Sequence, residues 1–243
     1  DGTIETWTYT PTGQLTTATE EKPDGATRSW SYQYDSRDRL IRETQPGGAS
    51  LAYTYDSAGN KTQLTVTPAT GSAHTTGYTY DSLNRLSTVT TSDQGSSAIT
   101  TYGYDAVGNL SSVSHPNGAS DRYHYDALNR LIKKDTFNGS GALVQSFAYT
   151  LHPTGRRTQI AELNGRSTQY GYDNLYRLTS EQIVDAQNGN HSASYQYDKV
   201  GSRVYDTVNG VQTQYRYDAN DRLSQQGGTT YSYDANGTTL TEP

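Results

Sequence analysis

The sequence predicts an all-β fold in which tandem hairpins form one continuous, antiparallel, spiralling strip of β-sheet. Three observations predict this fold. The tetrapeptide Tyr-x-Tyr-Asp occurs nine times along the 243 residues. Several copies end a stretch in which apolar and polar residues alternate, which is typical of a strand with one buried face. Turn signals built from Asp, Asn and Gly follow the copies and recur between them.

The composition indicates a folded chain that uses tyrosine for most of its apolar surface. Only 31% of the residues are hydrophobic, and 22 Tyr stand against two Phe and two Trp. A chain this polar can be disordered, but disordered segments are poor in aromatic and β-branched residues, and this one is rich in Tyr, Thr and Val. Each buried tyrosine removes roughly 150–250 Å² from water, so tyrosine can replace the usual aliphatic core.

Charge and composition exclude several classes of protein. The net charge is −6, from 19 basic and 25 acidic residues that are dispersed along the chain. Nucleic-acid binding needs clustered Lys and Arg, so it is not expected. No apolar run approaches the length of a membrane span. The lack of Cys excludes disulfides and cysteine-ligated metals. Since there is no Met, even at position 1, we expect a fragment or processed product of a longer chain.

The repeat comprises eleven units, because degenerate copies at Trp7 and Tyr149 complete the nine. Odd units place Gly three residues after the Asp position, and even units end in Arg-Leu, so the period is a pair of units. We expect one uninterrupted array over residues 1–243. The residues expected to carry the repeat structurally are Tyr32, Tyr34, Asp35, Tyr53, Tyr55, Asp56, Gly59, Tyr78, Tyr80, Asp81, Arg85, Tyr102, Tyr104, Asp105, Gly108, Tyr123, Tyr125, Asp126, Arg130, Tyr170, Tyr172, Asp173, Arg177, Tyr195, Tyr197, Asp198, Gly201, Tyr215, Tyr217, Asp218, Arg222, Tyr231, Tyr233 and Asp234.

Each unit predicts a strand, a tight turn, a second strand and a further turn. The two tyrosines lie two residues apart, so their rings face the same side of the first strand. Asp then caps the turn, and Gly or Asn takes a positive φ at low cost. A second strand follows, such as Lys61–Thr67 or Leu86–Thr91. Signals such as Asn117-Gly118, Asn138-Gly139 and Asn209-Gly210 predict the turn to the next unit.

The units Tyr78–Leu86, Tyr102–Leu110 and Tyr123–Leu131 resemble the YD repeats, or Rhs repeats, of bacterial Rhs and wall-associated polymorphic toxins. The same repeats occur in toxin-complex B/C subunits and in teneurins, and the resemblance covers essentially the whole chain. It implies a sheet that spirals into a hollow shell, which in the bacterial toxins encloses a C-terminal toxic domain. The sequence departs from that family in having no Asp-Pro motif, no C-terminal toxin domain and only eleven repeats.

The resemblance implies a structural scaffold, an encapsulating shell segment of a secreted or surface-delivered Rhs-type toxin protein. Its partners would be the remainder of its own parent chain and an enclosed toxin domain, with self-association through exposed sheet edges as a further expectation. A cell-surface adhesion module that binds a glycan or a protein receptor is the alternative. An enzyme is the third hypothesis, and no constellation of residues supports it. No cofactor is expected.

Three sets of side chains are candidate functional sites. The repeated Asp could bind Ca²⁺, but each turn offers a single carboxylate, so we expect turn caps. The Arg of each even unit lies four residues after an Asp, as in Asp35 and Arg39, and the two can bridge across the turn. The aromatic ladder could stack on sugars, but its strict spacing favours rings that pack on each other, with Trp7 and Trp30 as the exceptions.

Overall fold

The computed structural model describes residues 2–93 and 95–240. Within these residues the fold is all-β, with 21 strands and no helix, so the predicted fold class is confirmed. It follows that the described part of the chain contains no helix long and apolar enough to cross a membrane. The chain forms two compact units, Asp1–Ser120 and Asp121–Pro243, which are described separately below.

In the first compact unit, ten strands pair antiparallel in chain order, from β1 with β2 to β9 with β10. They form the predicted meander of hairpins. The strand predicted at Lys61–Thr67 has those bounds, whereas the one predicted at Leu86–Thr91 extends to Asp93. The strands are β1 Ile4–Tyr9, β2 Leu15–Glu21, β3 Thr27–Tyr34, β4 Leu40–Thr44, β5 Ser50–Tyr55, β6 Lys61–Thr67, β7 His74–Tyr80, β8 Leu86–Asp93, β9 Ser96–Tyr104 and β10 Leu110–Ser114.

The second compact unit has the same construction, and β12 to β21 again pair antiparallel in chain order. Strand β11 contacts β12 through the hydrogen bond between Thr136 Oγ1 and Asp121 Oδ1 (2.5 Å). The strands are β11 Ser120–Tyr125, β12 Leu131–Phe137, β13 Leu143–Leu151, β14 Arg157–Glu162, β15 Ser167–Tyr172, β16 Leu178–Val184, β17 His191–Tyr197, β18 Arg203–Val208, β19 Val211–Tyr217, β20 Leu223–Gln226 and β21 Thr229–Thr230.

The eleventh unit is shorter than predicted. Strand β21 has only two residues, and Tyr233 makes a single isolated bridge with Thr239 in place of a second hairpin strand. The physical reason is length: Tyr233 follows Tyr217 after 16 residues, whereas the corresponding residues of earlier adjacent units lie 20 to 26 residues apart. Fewer residues are left for strands once both turns have been made.

Hairpin turns share one construction, which the turn between β5 and β6 illustrates. The N–H of Asp56 donates to Asn60 O (2.9 Å), and the N–H of Gly59 donates back to Asp56 O (3.2 Å). The strand register shifts by one residue between Thr54 and Tyr55. This is a type I turn completed by a left-handed residue and a bulge. Glycine suits the left-handed position, where φ is 96°.

The turns between units follow the predicted signals with one correction. Asn209 and Gly210 both have positive φ, 49° and 85°, and they join β18 to β19 as a two-residue hairpin. The signal at Asn138-Gly139 was misplaced by two residues. The positive φ lies at Gly141, whose N–H donates to Asn138 O (2.9 Å). This turn is longer than an Asn-Gly turn because Asn138 occupies the capping position rather than the left-handed one.

The sheet has a thin core. Among the described residues, the buried hydrophobic ones are Val113, Ala193 and Tyr215, and the most completely buried side chain is the polar Thr168. Most of the repeat tyrosines are half-buried. Because so little aliphatic surface is removed from water, hydrogen bonds and partly buried rings must provide much of the cohesion.

Candidate functional site

The aspartates of the repeat cap their turns. In eight turns the Oδ1 atom accepts hydrogen bonds from the backbone N–H groups two and four residues further on, at 2.8–3.1 Å. Asp56 accepts one from Asn60 in the same way (2.8 Å). These are Asx-turns, in which the side chain replaces a backbone acceptor. The capping aspartates are Asp35, Asp81, Asp105, Asp126, Asp173, Asp198, Asp218 and Asp234.

The arginines of the even units bind these same aspartates. Each of the five guanidinium groups lies 2.6–2.7 Å from the Oδ2 atom of the Asp four residues earlier. The bonds hold the carboxylates in their charged form. The Arg side chain is the main cause of the lowered pKa at Asp35 and Asp126. Hydrogen bonding from the Arg backbone N–H is the main cause at Asp81, Asp173 and Asp218. The pairs are Asp35/Arg39, Asp81/Arg85, Asp126/Arg130, Asp173/Arg177 and Asp218/Arg222.

The same arginines also reach the next hairpin. The guanidinium of Arg177 lies 4.8 Å from the ring centroid of Tyr197, and its Nη1 donates to Asp198 O (3.0 Å). Arg39 does likewise with the ring of Tyr55 (4.6 Å). Arg85 and Arg222 stack on the second tyrosine of the next unit at 4.3 and 4.8 Å. One side chain thus closes its own turn and binds its neighbour.

The second tyrosine of a unit adds a hydrogen bond in the opposite direction. In eight units its Oη donates to the carbonyl oxygen at the start of the second strand in the preceding unit, at 2.8–2.9 Å. The spacing of the tyrosines does not reveal this bond. Its signal was the choice of Tyr over Phe at these positions. The donors and acceptors are Tyr34 to Leu15, Tyr55 to Leu40, Tyr80 to Lys61, Tyr104 to Leu86, Tyr172 to Arg157, Tyr197 to Leu178, Tyr217 to Arg203 and Tyr233 to Leu223.

Burial also affects the first tyrosines of several units. Burial is the main cause that raises the pKa of Tyr32, Tyr53, Tyr170, Tyr195 and Tyr215. Tyr215 is 6% exposed, and its Oη also donates to Asp206 Oδ2 (2.7 Å). Basic side chains cover several of these rings, as Lys61 covers those of Tyr53 and Tyr78 at 5.8 and 5.0 Å.

The predicted exceptions to ring packing differ from each other. Trp7 is 52% exposed, together with Tyr9 at 60%, whereas Trp30 is half-buried. Within residues 2–93 and 95–240, no group of three or more His, Asp or Glu side chains is placed to hold a metal ion.

We call the combined contacts the inter-repeat clasp: the Asp cap, the Arg–Asp pair, the Arg–Tyr stack and the Oη–carbonyl bond. Two odd units have Asn in place of Arg, at Asn60 and Asn109. Asn60 Nδ2 donates both to Asp56 Oδ2 and to Asn84 Oδ1 in the next turn (3.0 Å each). Since every element of the clasp is engaged within or between hairpins, its chemistry is cohesive.

Comparison with known proteins supports the repeat resemblance within residues 19–140. The family described as RHS Repeat matches residues 19–50, 34–73, 80–120 and 104–140. No curated protein matches the chain in sequence. The resemblance on which the sequence analysis relied is therefore supported by the family's own pattern.

Solved structures share the fold at low sequence identity. The crystal structure of TcdB2-TccC3-Cdc42 is 16% identical with a TM-score of 0.63 over 98% of this chain and 17% of that one. TcdB2-TccC3 without its hypervariable C-terminal region is 15% identical, with a TM-score of 0.65 over 100% of this chain and 17% of that one. The Tc holotoxin pore of Photorhabdus luminescens is 15% identical, with a TM-score of 0.63 over 98% of this chain and 17% of that one. This chain thus spans about a sixth of the chains that it matches.

Proposed function

We propose, from the RHS Repeat matches within residues 19–140 and the shared fold, that the chain is a wall segment of an encapsulating shell in a secreted or surface-delivered Rhs-type toxin protein. The scaffold role is structural rather than enzymatic. The proposed partners are the remainder of the parent polypeptide, which continues the wall, and a toxin domain that the wall encloses. In this proposal residues 1–243 form a single stretch of repeat array.

The inter-repeat clasp is the observation that carries the proposal. Repeat proteins are stabilised by contacts between neighbouring repeats rather than by one central core. Here the recurring residues serve those contacts: Arg177 reaches forward to Tyr197, and Tyr197 reaches back to Leu178 O (2.8 Å). An enzyme would instead direct its recurring polar groups into a common cleft. A wall that must remain closed around a cargo needs reciprocal joints of this kind.

The solved structures of similar fold support the toxin context. They include a Tc holotoxin pore and several TcdB2-TccC3 complexes, and this chain matches about a sixth of each. A segment of that relative length is consistent with a part of a larger wall. The enclosed cargo and the secreted location are carried over from the family resemblance and belong to the proposal.

One observation favours adhesion as a second candidate. Trp7 and Tyr9 stand exposed on β1, by 52% and 60%, and their rings could stack on a glycan or a receptor surface. The remaining repeat tyrosines are mostly half-buried, so the open row of aromatics that an adhesin needs is confined to this strand. Strand β1 pairs with β2, which makes its other edge the place where self-association would occur.

The test is to characterise the parent polypeptide in its native source. Mass spectrometry should find a chain several times longer than 243 residues that ends in an unrelated domain. Limited trypsin digestion of the native parent should leave that domain intact, and partial unfolding of the repeats should expose it. A natural product of about this size would overturn the container proposal, as would a C-terminal domain cleaved equally fast in the parent and in isolation.

A further inference from the structure

One turn in the second compact unit, Asp121–Pro243, departs from the repeat at two positions that the clasp uses. In the seventh repeat, His152 stands where the capping Asp stands elsewhere, and Arg156 stands where Asn60 and Asn109 stand in two other odd repeats. The turn itself is unchanged. His152 N–H still donates to Arg156 O (2.7 Å), and Gly155 keeps its φ of 92°. The departure is therefore in the side chains alone.

Arg156 differs from the other turn arginines in its surroundings. The five arginines of the even units each bind an Asp carboxylate, whereas Arg156 has no ion pair within the described ranges. Its Nε donates to Thr154 Oγ1 (3.3 Å) and its Nη1 to Asp173 O (3.4 Å), both long bonds. His152 Nδ1 is hydrogen-bonded to the same threonine hydroxyl (2.8 Å). A guanidinium with neutral, distant partners retains capacity for a carboxylate.

The neighbouring turn supplies an unusual aromatic residue. Tyr176 occupies the left-handed position with φ of 71°, where other even units have Asp38, Asn84, Asn129 and Asp221. A bulky side chain is rare in this conformation, and such strain tends to persist where the residue has a function. Tyr176 is 60% exposed, and its ring centroid lies 3.9 Å from the guanidinium of Arg156.

These side chains border a pocket of about 350 Å³. It is large enough for a small molecule. Besides Arg156 and Tyr176, its lining includes Thr154, Thr158 and Asn174. The Thr158 hydroxyl donates to Thr150 O (3.1 Å), so it can meet a ligand only as an acceptor. Asp173 also lines the pocket, but its carboxylate is bound by Arg177 (2.7 Å), so its charge is already compensated.

We propose that this pocket binds an acidic sugar, such as a uronate unit of a polysaccharide. The sugar carboxylate pairs with the outward N–H groups of Arg156, whose planar fork matches a carboxylate. The sugar ring packs its C–H groups on the exposed Tyr176, and the threonine hydroxyls and Asn174 serve its hydroxyl groups. A guanidinium stacked on Tyr176 presents its edge to the ligand, which places charge and ring contacts side by side.

The test is a titration of the whole 243-residue chain with glucuronate, followed by ¹H–¹⁵N NMR. Glucuronate should shift the amides of residues 152–158 and 173–177 saturably, with a Kd on the order of 1 mM for so small a ligand. Glucose, which lacks the carboxylate, should bind at least tenfold more weakly. Absence of a saturable shift, or equal binding of glucose, would overturn the proposal. If sulfate binds as tightly as glucuronate, the pocket is a simple anion site and the sugar assignment is wrong.

Substitutions that restore the repeat supply matched variants. His152→Asp gives Arg156 the counter-ion that other turns have, and Tyr176→Asn gives the residue found at Asn84. Each should weaken glucuronate binding at least tenfold while the chain stays folded, because both residues suit this turn elsewhere. Arg216→Gln, at an exposed arginine on β19, should leave binding unchanged. Undiminished binding by both restoring variants would refute the site.

Discussion

Removing one hydroxyl of the clasp tests how much each hairpin depends on its neighbour. In Tyr197→Phe the ring remains stacked under Arg177, and only the Oη bond to Leu178 O (2.8 Å) is lost. A net hydrogen bond contributes about 0.5–1.5 kcal/mol, and the half-buried carbonyl is left without this donor. We expect the free energy of unfolding to fall by about 1 kcal/mol, which is about 3 °C in Tm for a chain of this size.

The assay is urea unfolding of the purified chain, followed by far-UV circular dichroism and by tyrosine fluorescence. Tyr9→Phe is the matched control, because Tyr9 holds the same repeat position but is 60% exposed, and its Oη has no hydrogen bond to the described residues. We expect that variant to change the unfolding free energy by less than about 0.5 kcal/mol. Equal losses in the two variants would refute the argument that the clasp hydroxyl is cohesive.

Three further predictions follow from the turns. Gly59→Ala should cost about 1–2 kcal/mol in urea unfolding, because its φ is 96° while no atom lies within 4 Å of the added Cβ; Gly228→Ala, at a glycine without positive φ, is the control. The lowered pKa values of the capping Asp stabilise the fold above the ordinary value of 3.8, so stability should fall as pH drops below it; a constant urea midpoint from neutral pH to pH 2 would contradict this. Leu151→Tyr should add the missing clasp hydroxyl and raise stability by about 1 kcal/mol, and an unchanged midpoint would show that Leu131 O cannot accept it.

The strands and the Asp-capped turns could be predicted because local physics determines them. Two tyrosines two residues apart define a face, and Asp followed by Gly59 or Asn84 defines a turn, wherever the strand lies in the sheet. The bounds of β6, Lys61–Thr67, agreed for this reason. Even the Arg–Asp pairs follow from a four-residue spacing across a turn of known shape.

The contacts between repeat units could not be predicted from the sequence in the same way. The acceptor of the Tyr197 hydroxyl is Leu178 O, 19 residues earlier, and its identification requires the register of two hairpins and the bulge between Gln196 and Tyr197. The left-handed φ of Tyr176 could not be predicted from the residue type, because a bulky side chain disfavours that conformation. There the hydrogen-bonded turn around it overrides the preference of the residue.

The seventh repeat shows that departure from the repeat is selective rather than a general decay. Leu151 and His152 remove the clasp hydroxyl and the capping carboxylate, yet the strand pairing of β13 with β14 and the backbone bonds of the turn are retained. Arg130 compensates by donating to the carbonyl oxygens of both His152 (3.2 Å) and Pro153 (3.1 Å). Sites that break a local rule while the surrounding fold is kept are where function is expected. The even-unit arginines are occupied by their Asp partners, whereas Arg156 has no carboxylate partner among the described residues, which is why Arg156 is the candidate for binding.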